Sequence, residues 1–354
     1  MTGRSPVRPP QMAPHAGAGH CAASTAAVLV ALTAIAMLHA ADSPVVIGEA
    51  ASHITVGVAD LERALDLWVR RFGLTVIAER RGADPELARL WGLAPDRIVA
   101  QALVGLPGEA CGRIHFVQFR DPEAPVRAGA APTARAPKNL DVRARDLPDR
   151  YEELLALGHR FRSRWVEYPI DADRVREVQM PGPDETNIVL AEVVGERLPY
   201  TAAGYTSVSS IVTVVGDGAV EAEFFQSVLG LPLVMAHRLT GPEIEQMVGL
   251  PPGAGLDMRL LGSRRSPFGR IEIVRYEGVD GEDRYARARP PATGALGVAF
   301  MARDLAPIRT AAARAGRAVT EHGEVRTIFG EGRVLGLRSP AGLRIEIHER
   351  PVRR

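Results

Sequence analysis

The side chains with chemistry to offer in this sequence are imidazoles and carboxylates set in strand-like runs. His53 and His115 each stand near the start of such a run, and Glu272 and Glu346 lie within two others. Side chains of these types can bind a divalent metal. Taken singly, each is as readily a half-buried histidine or a solvated carboxylate. His348 follows Glu346 at the alternation of a strand, so the two can face one side, although a place at the rim is the plainer reading. Arg174 and Arg176 could clamp an acidic substrate bidentately or simply line a solvated face. No G-x-x-x-x-G-K-[ST] and no strand-borne G-x-G-x-x-G occurs, which speaks against nucleotide binding. The absence of a G-x-S-x-G elbow disfavours a serine hydrolase of that type.

The elements that must position these residues belong to a chain of 354 residues, 46% hydrophobic and 24% charged. That is room for two domains or one large one. Forty-three basic residues against 42 acidic ones leave a formal charge of +1, so nothing draws the chain to nucleic acid. Lys138 is its only lysine. Cys21 and Cys111 cannot build a disulfide framework or a thiolate zinc site. Arg4 and Arg8 precede an uncharged apolar stretch from Ala22 to Leu38, and small residues and Asp42 follow. Basic, apolar, small is the order of a secretory signal peptide. Residues 1–40 are therefore expected to be a cleaved signal peptide or, since ~17–25 apolar residues can span a bilayer, an N-terminal anchor. The mature protein is expected to be exported (periplasmic or secreted), touching a membrane only through an uncleaved N-terminus.

The sequence also repeats itself. Ser52-His53-Ile54-Thr55-Val56-Gly57-Val58-Ala59-Asp60 is echoed by Ser209 to Asp217, an offset of 157 residues. The same offset carries Phe72-Gly73-Leu74 onto Leu229-Gly230-Leu231, Gly92-Leu93 onto Gly249-Leu250, and Gly112-Arg113-Ile114-His115 onto Gly269-Arg270-Ile271-Glu272. Later segments match at nearly the same spacing: Asp146-Leu147 with Asp304-Leu305, and Pro183–Val189 with Pro340–Glu346. Each half again looks double, with a strand, a helix closed by glycine, and further strands. The alternation predicts strands at His53–Val58, Val99–Val104 and Arg113–Phe119, and a helix over Leu61–Phe72. Val56, Val58, Leu65, Trp68 and Phe72 are its expected core. The second module runs from Asn139 through a helix at Asp149–Leu157 to Ile188–Val193, the third starts at Ser210 and the fourth at Gly297. Residues 50–194 thus form a first unit of two modules and 208–350 a second, joined by a linker at 195–207.

This pattern resembles the vicinal oxygen chelate superfamily, which includes glyoxalase I, methylmalonyl-CoA epimerase, extradiol dioxygenases and bleomycin-resistance proteins. The resemblance rests on the run from His53 to Asp60 leading to Phe72-Gly73-Leu74, its echo around Asp217, and the closing strands at Gly112–His115 and Leu343–Ile347. It covers about residues 50–350. It implies an α+β fold of four βαβββ modules forming two incomplete mixed β-barrels, the glyoxalase/bleomycin resistance/dioxygenase fold.

In that superfamily two modules curl around one metal, each offering a ligand near the start of its first strand and one on its last. Carried over, the slots hold His53 and His115, Asn139 and Val189, Ser210 and Glu272, and Gly297 and Glu346. Val189 and Gly297 have no ligating side chain. If modules pair one with two and three with four, one barrel holds His53, His115 and Asn139 and the other Glu272 and Glu346. If they pair one with four, His53, His115 and Glu346 come together, with Glu272, Asn139 and His348 as second-line residues. The resemblance then implies a divalent metal (Fe, Mn or Zn) that serves as a Lewis acid or holds substrate beside dioxygen. The expected function is a metal-dependent dioxygenase or glyoxalase-like lyase or isomerase acting on a small oxygenated substrate. The alternative is a metal-free protein that binds or sequesters a small molecule, as bleomycin-resistance proteins do.

Overall fold

The aspartates that close the repeated first strands are helix starts. The Asp60 carboxylate accepts from the amides of Glu62 and Arg63 at 2.9 and 3.2 Å. Asp217, its counterpart, accepts from Ala219 and Val220 at 2.9 and 3.1 Å. Such a carboxylate satisfies first-turn amides that have no partner within the helix. In this computed structural model residues 50–350 are described, and the expected signal segment lies outside them.

Module one runs β1 (His53–Val58), α1 (Leu61–Leu65), β2 (Thr75–Arg81), α2 (Pro85–Leu90), β3 (Ile98–Gly105) and β4 (Arg113–Phe119). Module two is β5 (Pro137–Ala144), α3 (Leu147–Ala156), β6 (Val166–Ile170), β7 (Asp173–Pro181) and β8 (Asn187–Val193). Module three is β9 (Tyr205–Val214), α4 (Gly218–Ser227), β10 (Leu233–Thr240), α5 (Pro242–Val248), β11 (Gly255–Leu261) and β12 (Arg270–Glu277). Module four is β13 (Gly294–Ala302), α6 (Ala306–Arg314), β14 (Thr320–Thr327), β15 (Gly330–Arg338) and β16 (Arg344–Glu349). Two local features differ from expectation. The first helix is α-helical only to Leu65 and continues as a π-helix over Asp66–Arg71, which still buries Leu67 and Trp68. The end of the 195–207 segment is already strand, because β9 begins at Tyr205 and is buried along its whole length. A strand covered on both faces shows no alternation to announce it.

The strands form two eight-stranded mixed sheets, each an incomplete barrel. One has the order β14-β15-β16-β13-β1-β4-β3-β2, the other β10-β11-β12-β9-β5-β8-β7-β6. Modules one and four therefore share a barrel, and so do two and three. The seams are the antiparallel pairs β1–β13 and β5–β9. Alternation assigns the faces. Ile114 and Phe116 of β4 and Ile345 and Ile347 of β16 enter a large core with Trp68, Phe72 and Phe225. Val117 and Phe119 enter a separate cluster with Leu87 of α2 and Val334. The other barrel holds its own cluster, with Met247 of α5, Met258 and Val274. All five expected core residues of module one are buried.

Candidate functional site

Because Ile345 and Ile347 point into the large core, Glu346 and His348 point the other way, into the barrel of modules one and four. His115 does the same between Ile114 and Phe116. Across the seam His53 pairs with Ala299, and Ala299 pairs with Glu346, so His53 and Glu346 lie on one rung two strands apart. On the opposite side of β1, Thr55 pairs with His115. Exposure is 1% for His53, 1% for His115, 5% for Glu346 and 0% for His348, which removes all four from bulk water. The rings of His53 and His115 stand 5.5 Å apart at right angles, and those of His53 and His348 6.1 Å apart. Glu272 and Asn139 lie in the other barrel.

Each imidazole is held by one nitrogen. His53 Nδ1 is 2.8 Å from Ser52 Oγ, His115 Nε2 is 2.9 Å from Gln101 Oε1, and His348 Nε2 is 3.2 Å from Glu346 Oε2. Gln101 is fixed in turn, its amide donating to Asp84 Oδ2 at 2.7 Å. Asp84 also caps α2 through the Leu87 amide at 3.0 Å. At the far end of that helix Trp91 Nε1 donates to Glu346 Oε1 at 2.7 Å. The short helix α2 thus steadies His115 from its first turn and Glu346 from just beyond its last. Partners of this kind fix the tautomer and ring orientation of a ligating histidine. The Nδ1 atoms of His115 and His348 are buried without a hydrogen-bond partner.

Burial holds the His53 imidazole well below its ordinary pKa, with His115 and His348 adding to the effect. His115 is pushed down to about 4 by burial, against the pull of Glu346. Both rings are therefore neutral at pH 7, the state in which an imidazole ligates. Burial works to raise Glu346, but the Arg344 guanidinium, His348 and the Trp91 N–H outweigh it and hold the carboxyl far below the usual range. Arg344 Nη2 lies 2.6 Å from Glu346 Oε1, and its guanidinium sits 5.0 Å from the Trp91 ring centroid. The donor set fits a divalent ion in chemistry and in its two unpartnered nitrogens. Its present spacing does not, since no three His, Cys, Asp or Glu among the described residues form a metal-holding group. The Phe329 ring, from the β14–β15 turn, packs 4.4, 5.2 and 5.0 Å from those of His53, His115 and His348.

No protein-family model and no curated protein matches the sequence. Solved structures do match. Glyoxalase I from Zea mays superposes with a TM-score of 0.59 at 14% identity, covering 85% of this chain and 92% of that one. A protein of Bacillus subtilis subsp. subtilis str. 168 assigned as a dioxygenase gives a TM-score of 0.53 at 12% identity, over 86% of both chains. The chain has the vicinal oxygen chelate fold. At such identities the likeness speaks for the fold alone.

The other positions to which the resemblance assigns ligands are filled otherwise. Asn187 Nδ2 donates to Asn139 Oδ1 at 2.8 Å, and Val189 is buried beside them. Ser210 Oγ lies 2.7 Å from Asp141 Oδ2 and 3.3 Å from Glu272 Oε2. A Cβ on Gly297 would come within 2.5 Å of the Arg344 carbonyl, so β16 takes up the room beside that glycine. Arg174 and Arg176 both pair with Glu167, and Arg176 also pairs with Glu192, so they form an ion-pair network outside either ligand set.

Sequence reasoning did not single out Gln101, Asp84, Trp91, Arg344 or Phe329. Gln101 had a signal, as the lone amide in the apolar strand Ile98–Gly105. Trp91 stands immediately before Gly92-Leu93, where the repeat has Val248 before Gly249-Leu250. Phe329 had no signal, because it comes from a turn that no repeated element defines.

Proposed function

We propose that the barrel of modules one and four is the working barrel of a divalent-metal-dependent enzyme, a dioxygenase or a glyoxalase-like lyase or isomerase. The observation that carries this reading is the convergence on one barrel interior of the neutral rings of His53 and His115, the His348 ring and the ionised Glu346 carboxylate, each ring held through one nitrogen and two ring nitrogens left unpartnered. His53, His115 and Glu346 would hold the ion, with His348 beside them. A bound Fe, Mn or Zn would supply Lewis-acid stabilisation of an enolate or a seat for substrate beside dioxygen. Ser52 and Gln101 set the ring orientations, and Arg344 and Trp91 keep Glu346 ionised. A cleft of about 590 Å³ opens onto Glu346, lined by Arg289, Arg317, Arg338 and His322, which suits a small oxygenated molecule carrying an acidic group. Phe329 must withdraw for an ion and a substrate to enter.

A second reading, a metal-free small-molecule binder, is favoured by that same Phe329 ring and by the bond from Arg344 to Glu346. Metal analysis separates the two. Mature protein purified without chelator is expected to carry about one divalent ion per chain, and His53→Ala less than a tenth of that. If neither protein holds metal after exposure to Fe(II), Mn(II) and Zn(II), the binder reading stands instead. Export with loss of residues 1–40 belongs to the same proposal, and the intact mass of the native protein checks it.

A further inference from the structure

The barrel of modules two and three contains a cavity of about 110 Å³. Most of its wall is apolar, including Met235, Leu239, Met247, Leu256 and Met258, while Asp141, Glu177 and Glu272 form a polar side. Apolar walls with a few convergent polar groups are the anatomy of a small-molecule site. Asp141 is 6% exposed, and its Oδ1 is buried with no donor. Its other oxygen shares the Ser210 hydroxyl with Glu272, so two carboxyl groups lie together.

The cations nearby are engaged elsewhere. Lys138, the only lysine of the chain, is buried in this barrel, but its Nζ donates to Tyr276 Oη at 2.7 Å. Arg143 and Arg270, both at the cavity wall, turn away from the carboxyl pair, to Glu196 at 3.3 Å and to the Ser263 carbonyl at 3.2 Å. Glu177 accepts from the Tyr168 hydroxyl. Among the described residues no cation forms an ion pair with Asp141 or Glu272, and burial pushes both carboxyls up, the response of neighbouring acids in a dry site that lack a positive partner.

We propose that this cavity binds a small apolar amine, seated as its ammonium against Asp141 and Glu272 with its hydrocarbon among the methionine and leucine walls. An ammonium brings donors for Asp141 Oδ1 and the positive charge that the pair lacks. A neutral alcohol of the same shape brings one donor and no charge. The size is limiting, since a cavity of ~150 Å³ takes up a benzene ring, so the occupant here has roughly five heavy atoms. This site is separate from the His53 barrel and does not depend on whether a metal binds there.

Isobutylamine and isobutanol are the probes, titrated into the mature full chain at neutral pH by calorimetry, with thermal unfolding as a second readout. The expected result is saturable binding of one amine per chain, at least tenfold tighter than isobutanol. Asp141→Asn should weaken the amine at least tenfold and leave isobutanol unchanged. Should that variant not fold, Glu272→Gln is expected to give the same loss. The proposal is overturned if the alcohol binds as well as the amine, if neither binds at millimolar concentration, or if the amine binds undiminished to the folded variants.

Discussion

Gly112 and Gly269, 157 residues apart, meet at the joint between the two barrels and close a ring of backbone hydrogen bonds. The Gly112 amide donates to Ala51 at 3.1 Å, Ala51 to Gly269 at 2.8 Å, Gly269 to Val208 at 3.0 Å and Val208 to Gly112 at 2.9 Å. Ala51 and Val208 are separated by the same offset, so the two halves contribute alike. Both glycines have positive φ, +67 and +72, and a Cβ on either would lie 2.2 Å from a carbonyl oxygen of the ring.

Gly112→Ala should therefore be far more damaging than a control with the same backbone conformation. Gly92 has φ +69 and nothing within 4 Å of a Cβ, so Gly92→Ala meets only the left-handed penalty, about 1–2 kcal/mol. At Gly112 overpacking adds about 1–3 kcal/mol to that. Urea midpoints of the two variants check this. Equal losses would show that the ring tolerates a methyl group.

Phe329→Ala should open the His53 barrel to metal. The ring packs on three imidazoles, and its removal frees the space between them. The expected change is at least a tenfold gain in Zn(II) or Mn(II) affinity, measured by competition with a chelating dye. Unchanged affinity would mean that the hairpin does not obstruct the donors.

Trp68→Ala should cost about 3–5 kcal/mol, the usual range for emptying a buried aromatic site. The indole is 1% exposed and lies against Phe72 and Phe116, with ring centroids 5.3 and 6.1 Å away. Thermal and urea unfolding should agree on the loss, and a change below 1 kcal/mol would remove Trp68 from the core (about a third of the smallest expected cost).

Stability should also fall between mildly acidic and neutral pH on account of Glu177. Burial pushes its carboxyl up to about 7, with the Tyr168 bond opposing and Glu272 assisting. Between the ordinary value of 4.5 and about 7 the folded chain keeps a proton that the unfolded chain has released. The group's contribution is complete below that window and is lost as pH rises through about 7. Lys138, pushed down to about 7 by burial, acts in the opposite direction above that pH. Comparing Glu177→Gln with the parent chain across the window isolates the carboxyl. Parallel stability curves would disprove its role.

Much of this architecture was legible in the sequence, because the repeat acts on residues with strict geometric duties. Asp60 and Asp217 cap equivalent helices, and Pro85 and Pro242 open equivalent short ones. The strand Arg113–Phe119 was readable to the residue because its two faces enter different clusters. The partnering of the modules was left open, since four copies of one pattern carry no mark of which edges join. The slots brought His53, His115 and Glu346 forward as candidates. The groups that hold them were not, because Asp84, Trp91 and Phe329 lie between the repeated elements. In the second barrel Asp141 follows Asn139 on the same face of β5, and that alternation was the overlooked sign of a polar interior.

Pairing the first module with the last makes closure of one barrel a late event in synthesis. A nascent chain that ends near residue 290 already contains every strand of the barrel built from modules two and three. In the other barrel β1 still lacks its seam partner β13, and Glu346 does not yet exist. The edge of β1 must stay unpaired while more than two hundred residues leave the ribosome, a separation that slows folding and prolongs exposure of a bare strand. A premature stop in the last module would therefore disable the histidine barrel while leaving the amine cavity's strands intact.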